Sequence, residues 1–349
     1  MAYEPHTSTM TSGAAPRPVA VWLFTCAGMV VMMMLIGAIT RLTESGLSMV
    51  EWRPLIGAWP PTNEAEWQRV FALYRDTSEY QLANAGMGLP EFKTIFWWEF
   101  IHRFWGRMIG IVFAVPFVVF LLLKKIPRPL IPHLIALFVL GGLQGVIGWW
   151  MVKSGFVDRT DVSQYRLTVH LGLAFGILGY LLWVALDIVA AHRLRVPDGL
   201  RSQARLTLSV IALTVLAGGL VAGLNAGLTY NTWPLMDGDF VPDGIFEQSP
   251  WWLNPFENVA AVQFNHRILA YISVGGILWL WFSVRRARTA SRARLASGLL
   301  AAMAFAQVIL GIATLLLAVP LPLAVLHQAG AATLFTLAVW TVHELSGHG

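Results

Sequence analysis

Charge is what this chain most lacks. Only 12% of its 349 residues are Asp, Glu, Lys or Arg, about half the fraction usual in a soluble domain. Residues 18–40, 206–236 and 295–343 contain none of the four. One helical span needs about 20 apolar residues, and the last of these stretches is long enough for two. The runs are continuous rather than alternating, which excludes an outer-membrane β-barrel as well as a soluble enzyme. Cysteine is scarcer still: the single Cys26 lies inside the first span, so no intrachain disulfide can form. The N-terminus has neither a small-residue cleavage site nor an Arg-rich transit pattern and reads as a retained polar tail.

What is present is apolar and aromatic: 56% hydrophobic residues, 16 Trp and a mean hydropathy of +0.62. The reading is an all-α polytopic membrane protein with eight spans, near 19–40, 100–123, 130–151, 167–187, 206–229, 261–283, 295–318 and 322–343. Pro320 and Pro322 cannot both sit inside one continuous helix, so they divide the last run in two. The connections alternate in charge. The tails together with loops 124–129, 187–205 and 285–294 sum to +9, and the remainder of the chain to −4. The positive-inside rule then places both termini and the basic loops in the cytoplasm. Topology thus accounts for the net charge of +5, and no nucleic-acid partner is expected. The only lasting contact these features demand is membrane lipid.

An internal repeat divides the chain. Gly37-Ala-Ile-Thr-Arg-Leu-Thr-Glu-Ser-Gly46 matches Gly218-Gly-Leu-Val-Ala-Gly-Leu-Asn-Ala-Gly227, and Phe100-Ile-His102-Arg103 matches Phe264-Asn-His266-Arg267. Gln144-Gly-Val-Ile-Gly148 matches Gln307-Val-Ile-Leu-Gly311, and His170 with Trp183 matches His327 with Trp340. Four spans per half is an even number, so the halves share one orientation and form tandem four-helix bundles in parallel. The expected organisation is a tail (1–18), an N-terminal half (19–187) with a large outer loop (41–99), a cytoplasmic linker (188–205), a C-terminal half (206–343) and a short tail (344–349). Within the outer loop, Asn63-Glu-Ala-Glu66 reads as a helix cap, followed by Trp67, Val70, Phe71 and Tyr74 at helical spacing. Two readings stay open for it: an interfacial helix or a lid.

Nine histidines are present. His6 and His348 fall in tails, His192 in a loop, and His133 and His343 near cytoplasmic helix ends, where a solvated or interfacial side chain is expected. The other four, His102, His170, His266 and His327, each lie in the first turns of spans 2, 4, 6 and 8, hence at one depth near the outer face. Intramembrane ionisable groups are costly and tend to be functional. A single such His is usually a hydrogen-bonded packing residue; four at equivalent repeat positions point further. Two imidazoles on facing helices suit a flat macrocycle with two axial nitrogens, pairing His102 with His170 and His266 with His327. Zinc wants three or four close ligands, and each half offers two His and no nearby Cys. Arg103, Arg107 and Arg267 either snorkel or hold the propionates of such a ring. Trp97, Trp98, Trp251 and Trp252 fit an aromatic belt first and a pocket lining second. The halves differ at one telling position: Glu99, one turn before His102, is answered by Gln263 before His266. Glu99 is either a carboxylate able to move protons beside the site or an acid favoured by the helix dipole.

These residues resemble a known family. The string Gly37–Ser48, Trp52-Arg-Pro54 with Pro60-Pro61, Glu99-Phe-Ile-His-Arg103, Val221-Ala-Gly-Leu-Asn-Ala-Gly227, Tyr230-Asn-Thr-Trp-Pro-Leu-Met-Asp-Gly238, Phe264-Asn-His-Arg267 and Leu326-His-Gln328 are similar to the haem A synthases of proteobacteria and mitochondria, from about residue 19 to 343. The resemblance implies an oxidoreductase that oxidises the C8 methyl group of haem O to a formyl group, giving haem A for cytochrome c oxidase. It implies a resident haem b cofactor on His266 and His327 with Arg267 nearby. Substrate haem O would sit on His102 and His170 with Arg103 and Arg107, and Glu99 would matter for catalysis. Haem O synthase, cytochrome c oxidase assembly factors and an electron-transfer partner of open identity are the implied partners, and the inner membrane of a bacterium is the expected location ahead of a mitochondrial one. Relatives with cysteine pairs in the outer loops exist; this chain has none there. The His pattern alone leaves two alternatives, a bis-histidine electron-transfer cytochrome and a haem transporter. A carrier moving electrons across the bilayer would place its haems near opposite faces, which these four His do not.

Overall fold

The computed structural model describes residues 17–51, 59–153, 161–190, 196–287 and 289–347. The motif residues Trp52, Arg53, Pro54 and Gly57, loop Arg288, and His6, His192 and His348 lie outside the described residues. Among the described residues there are eleven α-helices and no strand. Eight helices are long and apolar enough to cross a membrane: α1 (Arg17–Leu42), α4 (Leu89–Leu122), α5 (Ile131–Lys153), α6 (Gln164–Val189), α7 (Asp198–Gly223), α9 (Val259–Arg286), α10 (Ser291–Leu316) and α11 (Leu321–Glu344). Three are short: α2 (Glu64–Arg75), α3 (Ser78–Leu82) and α8 (Asn254–Glu257).

Helices α1, α4, α5 and α6 form one group, and α7, α9, α10 and α11 the other. The groups meet through α6 against α11, flanked by α1 against α11 and α6 against α7. The apolar core runs without a break through both, from Trp22, Leu23 and Leu178 to Ile277, Phe335 and Ala338. Small residues permit the closest approach: a Cβ on Gly223 would stand 2.6 Å from the Cα of Gln164, so α6 and α7 touch backbone to backbone there. At one end Arg41 ties the halves together, bonding to Asp161 at 3.3 Å, to Asn225 Oδ1 at 3.1 Å and to the Ala222 carbonyl at 3.2 Å.

Two helices depart furthest from the hydropathy reading. Helix α4 starts at Leu89, well before the expected residue 100, with Pro90 in its first turn. Its 34 residues rise about 51 Å at 1.5 Å each, so it projects beyond a bilayer core. Helix α7 begins at Asp198 and stops at Gly223, short of the expected 229, because Asn225 takes the left-handed conformation with φ 52°. The Pro320 break is where expected: α10 ends at Leu316, and Ala318 and Val319 both turn with positive φ before α11.

The projecting end of α4 has a purpose in packing. Asn63 caps α2 by accepting the Glu66 N–H at 2.9 Å, and Trp67, Phe71 and Tyr74 fall on one face. That face meets Phe92, Phe96 and Phe100, spaced four apart on α4, with Trp67–Phe96 and Phe71–Phe92 centroids 5.0 Å apart. The apolar side of α2 is therefore occupied by α4 and is not free to lie on lipid.

Beneath this cover Glu79 is buried with its Oε2 unpartnered among the described residues. Burial pushes its carboxyl up to about 8, assisted by the charges of Glu99, Glu44 and Asp161 and opposed by the Tyr74 hydroxyl. The folded cover thus holds a proton that the unfolded chain releases near 4.5. Its stability should fall as pH rises from there, the loss being complete above about 8. Hydrogen exchange of residues 74–84, corrected for intrinsic rates, should show protection declining over that window in the native chain and a flat profile in Glu79→Gln. A flat native profile contradicts the assignment.

Candidate functional site

Each of the four intramembrane histidines rests on a glycine of the neighbouring helix. A Cβ on Gly37 of α1 would stand 3.0 Å from His102 Cε1 of α4, and one on Gly148 of α5 would stand 3.1 Å from His170 Cε1 of α6. The other half shows the same pairing: Gly218 of α7 with His266 of α9 at 3.2 Å, and Gly311 of α10 with His327 of α11 at 3.0 Å. Any side chain at those glycines would push the ring away from the helix. All four lie toward the end of the bundle where α1 and α7 finish, His102 and His170 on helices of one half and His266 and His327 on helices of the other.

Glutamines brace the second ring of each pair. Gln144 Nε2 donates to the His170 carbonyl at 3.0 Å and lies 3.3 Å from its ring nitrogen. Gln307 Nε2 donates to the His327 carbonyl at 3.0 Å and lies 3.2 Å from its Nδ1, whereas Gln144 approaches Nε2 of His170. The first rings differ. His266 Nδ1 lies 3.1 Å from the Thr214 carbonyl, a contact in which Nδ1–H donates and Nε2 is left with its lone pair for a metal. His102 has no such partner: its Nδ1 is buried without a hydrogen bond among the described residues, as is His170 Nδ1. Two facing imidazoles with ring nitrogens unclaimed by protein can hold the iron of a planar macrocycle from both sides. Among the described residues no three His, Cys, Asp or Glu gather as a metal cluster, so a three-ligand zinc centre has no donors here.

The Glu99 and Gln263 positions do equivalent work with opposite polarity. Buried Glu99 accepts from Ser48 Oγ at 2.7 Å, from the Met49 N–H at 2.7 Å and from Arg103 Nη2. Gln263 instead donates its amide to the carbonyls of Ala226 and Thr229 and accepts from Arg267 Nη2 at 2.8 Å. Both pin the segment that follows the first helix of their half onto the second. The arginines share in this. Arg103 donates to the Met49 and Glu51 carbonyls at 2.9 and 3.4 Å, and Arg267 to those of Tyr230 and Thr232 at 2.7 and 3.0 Å. Their guanidinium groups are therefore engaged with loop backbone above the histidines. Arg107 follows one turn deeper on α4 and is half-buried.

Other expected residues take plainer places. Trp97 packs on Trp67 and Phe100, while Trp251 and Trp252 are exposed at the same end, as a belt would be. The expectation of a solvated or interfacial His343 is corrected: it is fully buried, with Nε2 3.1 Å from Asp187 Oδ1 across the α6–α11 contact. His133 meets the Tyr180 hydroxyl at 2.7 Å. Ser48, Thr214, Gln144 and Gln307 were not singled out from the sequence as functional. For the two glutamines a signal existed, their recurrence four residues before the histidine-bearing glycines.

Comparison with known proteins identifies the family. Residues 20–339 match the family described as cytochrome oxidase assembly protein. "Heme A synthase" of Parvibaculum lavamentivorans is 52% identical over 328 residues, covering 94% of each chain. The protein of that name from Nitrosospira multiformis is 50% identical over 336 residues, 95% of this chain and 94% of its own. That from Rhodospirillum centenum is 51% identical over 347 residues, 99% and 93%. With its paired intramembrane histidines inside the matched region and its relatives aligned almost end to end, the chain belongs to the cytochrome oxidase assembly protein family.

Proposed function

We propose that this protein is a haem A synthase of the bacterial inner membrane, oxidising the C8 methyl group of haem O to a formyl group. The observation that carries the proposal is the inequality of two otherwise matching sites in a chain whose relatives bear that name over their full length. His266 and His327 would hold a resident haem b, and His102 and His170 the substrate haem. The fixed Nδ1 of His266, held by the Thr214 carbonyl, suits a permanent ligand, because such outer contacts orient the ring and raise its basicity. The unclaimed Nδ1 of His102 suits a ring that must accept and release a substrate. When bound, bis-histidine haem b supplies one-electron redox chemistry.

The chain's own residues act by positioning. Glu99 joins Ser48, Met49 and Arg103 into a buried lattice directly above His102, which fixes α1 against α4 and hence Gly37 against the ring. Its carboxylate lies one turn from His102 on α4, a suitable acceptor for a proton released as the substrate methyl is oxidised. Gln263 cannot exchange a proton, consistent with a C-terminal half that binds without reacting. Arg103, Arg107 and Arg267 supply positive charge at the level where haem propionates would lie. The histidine end faces outward, and both termini face the cytoplasm. Haem O synthase upstream and oxidase assembly factors downstream are the expected partners.

Two outcomes test the assignment. His266→Ala and His327→Ala, purified from membranes, should each lose the reduced haem b absorbance band while His102→Ala keeps it; retention in both C-terminal variants contradicts the pairing. Glu99→Gln replaces an acceptor of three hydrogen bonds by an amide whose N–H would face other donors. It should retain haem b yet make haem A at least about tenfold more slowly, a barrier increase of about 1.4 kcal/mol. A native rate removes Glu99 from the site.

A further inference from the structure

Arg41 stands where the two halves meet each other. It lies one turn beyond Gly37 on α1, the glycine under His102, and the sequence repeat pairs it with Ala222, one turn beyond Gly218 on α7, the glycine under His266. Its Nη2 donates at 3.2 Å to the carbonyl of that same Ala222. Repeat-equivalent positions approach one another only near the axis that relates them, so the guanidinium sits close to that axis with a histidine site on either side. A second contact agrees: a Cβ on Gly219 would stand 3.0 Å from Oγ1 of Thr168, two residues before His170. The helix that carries a histidine of one site thus packs on the glycine-bearing helix of the other. Ala222 has no charge, so the repeat supplies one cation at this place and not two. That cation is held firmly. Nη2 also bonds Asp161 Oδ2 at 3.3 Å and Asn225 Oδ1 at 3.1 Å, and Asn225 Nδ2 reaches Asp161 at 3.3 Å. Asp161 is its one ion-pair partner among the described residues. The Arg41 side chain is 13% exposed and that of Asp161 40%, so water screens the acid more than the base.

We propose that Arg41 is a charge shared by the two sites, raising the reduction potential of an iron in either half by a similar amount. The inference rests on the assignment of one haem to each half. A fixed cation opposes the removal of an electron from a nearby iron, and burial and local charge are among the levers by which a protein tunes a haem. A cation near the axis acts on both sites together. The difference between the irons is then left to what differs between the halves, the Thr214 carbonyl at His266 and the Glu99 clamp beside His102. Arg103 and Arg267 each follow a histidine of one half and belong to that half. Arg41 touches neither the histidines nor their glycines in any hydrogen bond. It acts through its field and through the turns it joins.

The test uses full-length protein in detergent, loaded with haem b in the C-terminal half and haem O in the N-terminal half. Anaerobic redox titration followed by absorbance gives both midpoints for the native chain and for Arg41→Met, Arg41→Lys and Asp161→Asn. Arg41→Met should lower both midpoints together, changing each ferric-to-ferrous ratio by about threefold or more at fixed potential, which is about 28 mV at 59 mV per tenfold. Asp161→Asn, whose amide oxygen still accepts both bonds, should raise both. Arg41→Lys keeps the charge without the three-acceptor contact and should stay near the native values. Retained haem b and native helical circular dichroism report the fold. If Arg41→Met loses either, Asp161→Asn decides alone, and unchanged midpoints there overturn the proposal. A shift at one iron only would assign Arg41 to one site and overturn it. So would no shift at all, or a fall in Arg41→Lys equal to that in Arg41→Met, which marks a structural loss rather than a lost charge. A native chain that holds a single haem contradicts the two-site reading and the inference with it. Midpoints that move together in a protein that forms no haem A keep the Arg41 assignment and contradict the proposed activity instead.

Discussion

An imidazole lying against a helix where only glycine fits is the contact on which the rest of this protein depends. In a bilayer core a polar ring has no water to turn to, and its cost is met by partners the protein supplies. Four times the chain meets that constraint in one way. Glycine on one helix admits a histidine from the next, at 3.0 to 3.2 Å from where a Cβ would be. The contact sets the spacing and rotation of the helices in each half. The Arg41, Asp161 and Asn225 bonds and the unbroken α6–α11 core then hold the halves together.

Upon that common frame the halves diverge at a few positions. The Thr214 carbonyl lies 3.1 Å from His266 Nδ1, whereas His102 Nδ1 has no hydrogen bond among the described residues. Glu99 and Gln263 make the same loop-to-helix clamp, both accepting from an arginine, but Glu99 accepts from the loop where Gln263 donates to it, so exchanging them by a single mutation would leave donor facing donor or acceptor facing acceptor. A site with one ring held by a carbonyl, beside a site whose matching ring is not, suits the proposed division between keeping one macrocycle and processing another.

Much of this was legible in the sequence because the bilayer writes long-period signals. Uncharged runs located the eight spans, loop charge supplied an expected orientation, and the repeat set His102, His170, His266 and His327 at equivalent positions. Boundaries failed where local packing outweighed hydropathy. The start of α4 at Leu89 is fixed by an aromatic ladder shared with α2, and the end of α7 by a left-handed Asn225. Contacts between residues distant in sequence were the least legible. The partner of His343 is 156 residues away. The backbone carbonyls that engage Arg103 and Arg267 carry no side-chain signature at all.

The central claim is that two like-liganded sites do different things, one retaining a haem and the other transforming it. Its most direct test is chromatography of haems extracted from the purified protein after co-expression with a haem O synthase, compared with the His102→Ala variant. The account predicts haem b and haem A from the native chain, and from the variant haem b with no haem A. Haem O recovered unchanged from the native protein, or haem A still formed without His102, would contradict it.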